Sequence, residues 1–422
     1  MSVLVIDNGA YELKIGYATD DKNPAHFRVS NSITRSKDRR TYVGNEIENC
    51  RDYAGLTYRR PHERGQLVNW ETQKAIWDNQ FYGKTSKLVG MNGGKPVDPS
   101  ETSLILTEMP YSLPALSSNM DQIVFEEYGF DSYYRCTPGS LVPWNDIREL
   151  YNDTSSRSSP VSECALVIDS GFSSTHVLPV VLGEVYWPAA KRINIGGKHL
   201  TNYLKETVSF RYYNMMEETF LMNVIKERVC FVSLKYQLDL EEAHINKRKS
   251  LLRIDYALPD YRTSKLGHIV KGATSSNDSN QVLTLTNERF TIPEALFRPS
   301  DLNLDQAGIP ETAINCVKLM PEEIQSMLLS NVVLVGGNAV LPGYKERIRE
   351  ELQSFSPQGV NLRVGMPVDP ISYAWQGGCR LGSQKDMLSK AYVTKADYME
   401  HGVNLCLSRF GIKKMDNSIA MD

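Results

Sequence analysis

Apolar positions in this chain follow two periods. Leu4-Val5-Ile6 and Leu166-Val167-Ile168 are short unbroken apolar runs, and each ends in an aspartate, a small polar residue and a glycine (Asp7-Asn8-Gly9 and Asp169-Ser170-Gly171). A second strand-like run follows each turn: Leu13-Lys14-Ile15-Gly16-Tyr17 and Thr175-His176-Val177-Leu178-Pro179. Runs of this kind bounded by turn residues predict hairpins of buried strands. Residues 103–107 read as another buried strand, and 331–335 as one that runs into Gly336-Gly337. Helical spacing appears over 70–82 (Trp70, Ile76, Trp77, Phe81) and 119–128 (Met120, Ile123, Val124, Tyr128). It returns after Gly196-Gly197 to about Val208, and over 217–235, where Leu221, Val224, Ile225, Arg228 and Val229 share a face. Residues 344–355 read as a charged helix after Pro342-Gly343. The polar stretch 152–160 reads as a linker between two halves and 274–280 as a loop. Strands alternating with helices predict an α/β protein with mixed sheets.

Length and composition narrow the classes. The 422 residues suggest two to three ordinary domains, and 41% hydrophobic content supplies sizeable cores. A net charge of −3 argues against a generally basic nucleic-acid binder, though not against a local patch such as Arg35–Arg40 or Lys247-Arg248-Lys249. Seven cysteines without C-x-x-C spacing indicate neither a disulfide framework nor a zinc site, and reduced thiols fit the cytosol or nucleus. A strand begins almost at residue 1 without a secretory leader pattern, and no apolar run approaches membrane-spanning length. A soluble intracellular protein is expected.

The repeated hairpin carries the chemistry. On a single copy an ordinary turn is the better reading, because D-x-G is common. Two copies in two halves favour turn tips that face one another across a cleft and hold a polyphosphate with its cation. Asp7 and Asp169 are the candidate cation carboxylates, since magnesium keeps several waters and takes one or two carboxylates. Gly9 and Gly171 leave backbone amides open to phosphate oxygens. Lys14 sits where a point charge reaches a phosphate, and reads equally as a solvated strand lysine. Gly336-Gly337 and Gly196-Gly197 are further approach points, each weak alone. His176 either positions a water or fills the core. Lys226-Glu227 lie on an amphipathic helix and read locally as a surface pair. No Walker A pattern is present.

Ordered motifs along nearly the whole chain resemble the actin family. They include Asp7-Asn8-Gly9 with Lys14 and Gly16, Tyr42-Val43-Gly44-Asn45-Glu46, Leu67-Val68-Asn69-Trp70, Leu106-Thr107-Glu108-Met109-Pro110, and Asp169-Ser170-Gly171 with Thr175-His176. Gly197 with Leu200-Thr201, Ile225-Lys226-Glu227, Pro293-Glu294-Ala295-Leu296-Phe297, Gly336-Gly337 with Pro342-Gly343, and Trp375-Gln376-Gly377-Gly378 continue the match. The resemblance implies an actin-like two-lobed ATPase fold of duplicated ribonuclease-H-like domains, with mixed sheets flanked by helices. It implies a first lobe over 1–150, with 33–60 as its small subdomain and 366–422 completing it. The second lobe then covers 160–365, with 198–285 as its small subdomain. The implied cofactor is ATP or ADP with magnesium, held by Asp7, Asn8, Gly9, Lys14, Asp169, Gly171, Gly197, Lys226, Glu227, Gly336 and Gly337. Asp7 and Asp169 would hold the metal through water.

Arg59-Arg60-Pro61, Phe125-Glu126-Glu127-Tyr128, Ile193-Asn194-Ile195 and Met216-Glu217-Glu218-Thr219 are further similar to the sixth nuclear class of actin-related proteins. That class supplies non-filamentous subunits of a chromatin remodeller that exchanges a variant histone into nucleosomes. The implied partners are other subunits of such a complex, with nucleosomal DNA or histones open through the two basic patches. For each patch taken alone, a solvated charged loop is the better reading. The implied location is the nucleus, with the cytoplasm also open, and no membrane partner is expected.

Departures from the family pattern bear on activity. Ala10-Tyr11 and Phe172-Ser173 replace small or acidic residues at the two tips, and no glutamine stands near Cys136-Thr137-Pro138 to orient an attacking water. Only His176 remains of the water-activating pair, and Ile371 falls where a lysine covers the base. Residues 34–41 are short and cationic where actin carries an apolar filament contact. The expectation is a scaffold that binds nucleotide without efficient hydrolysis and is not a homopolymer. The alternatives are an active actin-fold ATPase or phosphotransferase and, third, a polymerising cytoskeletal actin.

Overall fold

The computed structural model describes residues 2–21, 24–153, 159, 161–261, 264–270 and 281–412. Two large mixed sheets repeat one topology. In the first, the strand Ser2–Asn8 pairs antiparallel with Glu12–Tyr17, which pairs with Phe27–Ser30. On its other side Ser2–Asn8 runs parallel to Thr102–Thr107, which runs parallel to Ser132–Cys136. In the second, Cys164–Ser170 pairs antiparallel with Thr175–Val181 and parallel with Val332–Val335, which is followed by Val364–Gly365. The hairpins match residue for residue: Asp7 lies opposite Lys14, and Asp169 opposite His176.

Both first strands are buried on both faces, which explains their unbroken apolar reading. Helices cover the sheets on separate hydrophobic cores. Trp77 and Phe81 of the helix Trp70–Tyr82 are fully buried, and Asn69 caps that helix by accepting from the Thr72 amide at 2.9 Å. The helix Tyr373–Ser383 returns the chain to the first sheet. Its Trp375 is fully buried and donates from Nε1 to the Val5 carbonyl at 3.0 Å. Val393–Thr394 pairs with Ser132–Cys136, so the last strand belongs to the first sheet.

Two helical expectations are corrected. The segment 217–235 is not one helix: Thr219–Val229 ends, and Tyr236–Asn246 starts anew. The apolar spacing continues past Val229, but the Phe231 amide donates to the Arg289 carbonyl at 3.0 Å and the Val232 amide to Pro342 at 2.8 Å. Those tertiary bonds take the donors a continuing helix would use. The helix expected at 119–128 begins earlier, as Pro114–Gln122, with proline at its first position, and ends in the wide turn Ile123–Tyr128 before Gly129. The loop expected at 274–280 lies outside the described residues, as do 154–158 and Pro160 of the expected linker. Lys247–Lys249 form a single helical turn. No helix among the described residues is long and apolar enough to cross a membrane.

Candidate functional site: a cleft between two turn tips

The two hairpin turns face one cavity of about 370 Å³, and all eleven residues of the implied cofactor set, together with His176, line it, whereas Gly196 of the Gly196-Gly197 approach point does not. The first strand of each hairpin runs parallel to its inner neighbour, Thr102–Thr107 or Val332–Val335, so both tips lie at the carboxyl edge of those strands, where ligands of α/β proteins bind.

Asp7 is buried and held from two sides. The Thr107 hydroxyl donates to its Oδ1 at 2.7 Å, and Lys14 Nζ lies 3.0 Å from Oδ2. Thr107 also accepts from the Asn8 amide at 2.9 Å, so one hydroxyl at the end of the neighbouring parallel strand orients the turn. Asp169 has no such bonding among the described residues. Burial, then the negative charge of Asp7, pushes its carboxyl up to about 6, against the opposing pull of Lys14. His176 is buried and its proton affinity falls to about 3, through burial and then the charge of Arg192. It is a neutral imidazole at physiological pH. Its Nε2 lies 3.5 Å from the Ser174 hydroxyl.

The glycines make close approaches possible. A Cβ on Gly9 would lie 2.6 Å from the Glu12 carbonyl. Gly336 adopts φ +93°, and a Cβ there would lie 2.7 Å from Asp169 Oδ1. Gly197 opens the helix Gly197–Arg211, with its amide donating to the Gly171 carbonyl at 3.0 Å. Asn338 Nδ2 bonds both Ser170 Oγ (3.1 Å) and the Gly171 carbonyl (2.9 Å), and so ties the third approach point to the second tip.

Lys226 is buried within the site. Its Nζ donates to Thr201 Oγ1 (3.0 Å), Asn223 Oδ1 (2.9 Å) and the Gly197 carbonyl (3.2 Å). Desolvation lowers its proton affinity, against the pull of Glu227. Glu227 accepts from Asn223 Nδ2 at 2.7 Å. The local reading of Lys226-Glu227 as a surface pair is therefore replaced: the helix turns this face into the cleft.

Thr107, Asn223, Asn338 and Arg60 belong to the site and were not singled out for it. Thr107 had a signal, because it ends a buried strand parallel to the first hairpin. Asn223 and Asn338 had none beyond their neighbours. Arg60 stood out only in a motif. Its guanidinium lies 4.7 Å from the Tyr11 ring centroid and 5.1 Å from that of Phe172, and its Nη1 donates to the Tyr11 carbonyl at 3.0 Å.

The fit to a nucleotide and its cation rests on Asn8. It is buried against the cavity, and neither its side-chain oxygen nor its nitrogen has a partner among the described residues. Such an orphaned pair is costly unless a ligand satisfies it. Among the described residues no three His, Cys, Asp or Glu side chains converge as a metal cage. Two carboxylates acting through water suit magnesium better than direct ligation.

The lobes also meet at the outer rim of the cleft. Tyr53 stacks on Phe220 at 4.9 Å, the Gly55 amide donates to Glu218 at 3.1 Å, and Lys265 Nζ donates to the Cys50 carbonyl at 3.0 Å.

Comparison with known proteins places this geometry. A sequence model of the family described as Actin matches residues 1–411. The chain is 42% identical over 407 residues to a Yarrowia lipolytica protein named Actin-like protein ARP6, covering 96% of this chain and 97% of that protein. It is 39% identical over 430 residues to Actin-related protein 6 of Neurospora crassa, covering 97% and 94%. It is 36% identical over 472 residues to Actin-related protein 6 of Dictyostelium discoideum, covering 97% and 94%.

Proposed function

The chain belongs to the actin family, and from that premise we propose that it is a non-filamentous scaffold subunit of a nuclear chromatin-remodelling complex that exchanges a variant histone. The cleft holds ATP or ADP with magnesium, and the ligand bridges the lobes and stabilises them by mass action without needing turnover. The likeness to relatives named Actin-related protein 6 supports the assembly.

The observation that carries the non-catalytic reading is His176. Catalysis of phosphoryl transfer is mostly positioning and charge stabilisation. An imidazole whose proton affinity has fallen to about 3 is a feeble base, and no glutamine accompanies it. Asp7, Asn8 and Gly9 on one side, and Asp169, Gly171 and Gly336-Gly337 on the other, would hold the phosphates and their cation. The apolar surface at Ile371 would receive the base.

The test is gentle isolation of the native protein from nuclei, identification of bound nucleotide and co-purifying subunits, and measurement of phosphate release. Expected are adenine nucleotide in the cleft, remodeller subunits in stoichiometric yield, and phosphate release at background. Steady turnover that disappears in Asp7→Asn would overturn the scaffold reading in favour of an ATPase.

Self-assembly is disfavoured by the short hairpin at Ile33–Arg35 and Thr41–Val43. Its tip is exposed and cationic, with an Asp38–Arg40 ion pair at 3.2 Å and no apolar side chain. Nothing there offers hydrophobic burial to a neighbouring copy, and the charges would be desolvated in the contact. Purified protein is expected to remain in the supernatant under filament-forming salt. Concentration-dependent pelleting with helical filaments in electron micrographs would refute this.

A further inference from the structure

Side chains from the two turn tips meet across the cleft. The Tyr11 and Phe172 rings, one from each turn tip, lie 5.0 Å apart at 41°. Rings at that separation are in van der Waals contact, whereas a phosphoryl group between them would need about 3.5 Å of clearance to each. Arg60 lies over both rings, and Asn223 Nδ2 donates to the Tyr11 hydroxyl at 3.1 Å, so the pair is pinned from both lobes.

Charge acts in the same direction. The cations at the tips are already engaged: Lys14 with Asp7 and Arg28 with Glu12, both at 3.0 Å, Lys226 with three oxygens, and Arg60, behind the rings, with the Tyr11 carbonyl. Asp7, Asp169 and Glu227 line the same space. A third phosphate would bring extra negative charge to a wall with acids in place and its cations committed.

We infer that this cleft selects a nucleoside diphosphate over the triphosphate, with Tyr11 and Phe172 as the residues that determine the choice. The inference rests on reading the cleft as a nucleotide site. It goes beyond that reading by fixing the length of phosphate chain accepted.

The test is calorimetric titration of nucleotide-stripped full-length protein with ADP and with a non-hydrolysable ATP analogue, both with magnesium. ADP is expected to bind at least roughly tenfold more tightly, the scale at which a shaped pocket rejects an oversized ligand. Tyr11→Gly combined with Phe172→Gly should bring the two affinities together by strengthening the analogue. Tyr11→Phe, which keeps the ring, should preserve the preference. Should the double variant fail to fold, Phe172→Ala alone should narrow the ratio. Equal affinities in the native protein, or an unchanged ratio after ring removal, would overturn the selectivity while leaving the nucleotide site in place. Absence of heat with either ligand would overturn the nucleotide site and the selectivity with it.

Discussion

Replacing Asp169 by asparagine is expected to raise the melting temperature of the ligand-free protein by roughly 2 °C while weakening magnesium-dependent nucleotide binding by roughly 10- to 100-fold. The opposite signs have one cause. Asp169 is desolvated and faces Asp7, whose charge is already matched by Lys14 at 3.0 Å. Holding the second carboxylate ionised therefore works against folding, a cost that the proposed cation would offset by using it. The sign with pH follows. A carboxyl whose folded proton affinity is raised to about 6, above its ordinary 3.8, binds its proton more tightly in the folded state. Its contribution to stability is present below the ordinary value and is lost as pH rises through about 6. The stability advantage of Asp169→Asn should accordingly be largest at neutral pH and shrink on acidification. Differential scanning fluorimetry with and without magnesium and ADP reads both effects. A ligand-free melting point below the native one, as for an ordinary core substitution, would refute the account.

The candidate site was legible largely because its parts are local. Each Asp-x-Gly tip follows a strand buried on both faces, so burial, turn and carboxylate fall within six consecutive residues. The relation between the halves was legible as repetition, and the sheets repeat the same strand order. What escaped depends on contacts between distant segments. The helix after Thr219 could not be ended from its own spacing, because the carbonyls of Arg289 and Pro342 end it. Tyr11 and Phe172 were visible as two separate departures from a pattern. Their meeting under Arg60 belongs to the closed cleft and to no stretch of sequence.

The same limit hid the most consequential charge in the second lobe. Residues 344–355 read as a charged helix, which suggests solvent, yet Arg347 is buried within it. Its Nη2 lies 2.9 Å from Oε1 of the fully buried Glu294, and its Nη1 donates to the other carboxylate oxygen at 3.3 Å and to the Ser233 carbonyl at 2.5 Å. The guanidinium also lies 4.9 Å from the Phe297 ring centroid and pairs with Glu351. Arg298 reaches Glu294 at 3.4 Å from a half-exposed position, too far out to replace a bidentate partner.

Arg347→Met is therefore expected to destabilise the protein by about 3–5 kcal/mol, because it leaves Glu294 buried and uncompensated. Removing both charges, as Arg347→Met with Glu294→Leu, should recover most of that loss, since the cost lies in the orphaned charge rather than in lost attraction. Urea unfolding followed by circular dichroism measures both variants. The helix Tyr344–Phe355 follows the turn that carries Gly336-Gly337, with only Leu341-Pro342-Gly343 between them. The single variant should consequently also weaken ADP binding, and the double variant should restore it. A single variant within about 0.5 kcal/mol of native stability, the range of surface substitutions, would show that Glu294 is relieved by water or Arg298 and would refute the argument.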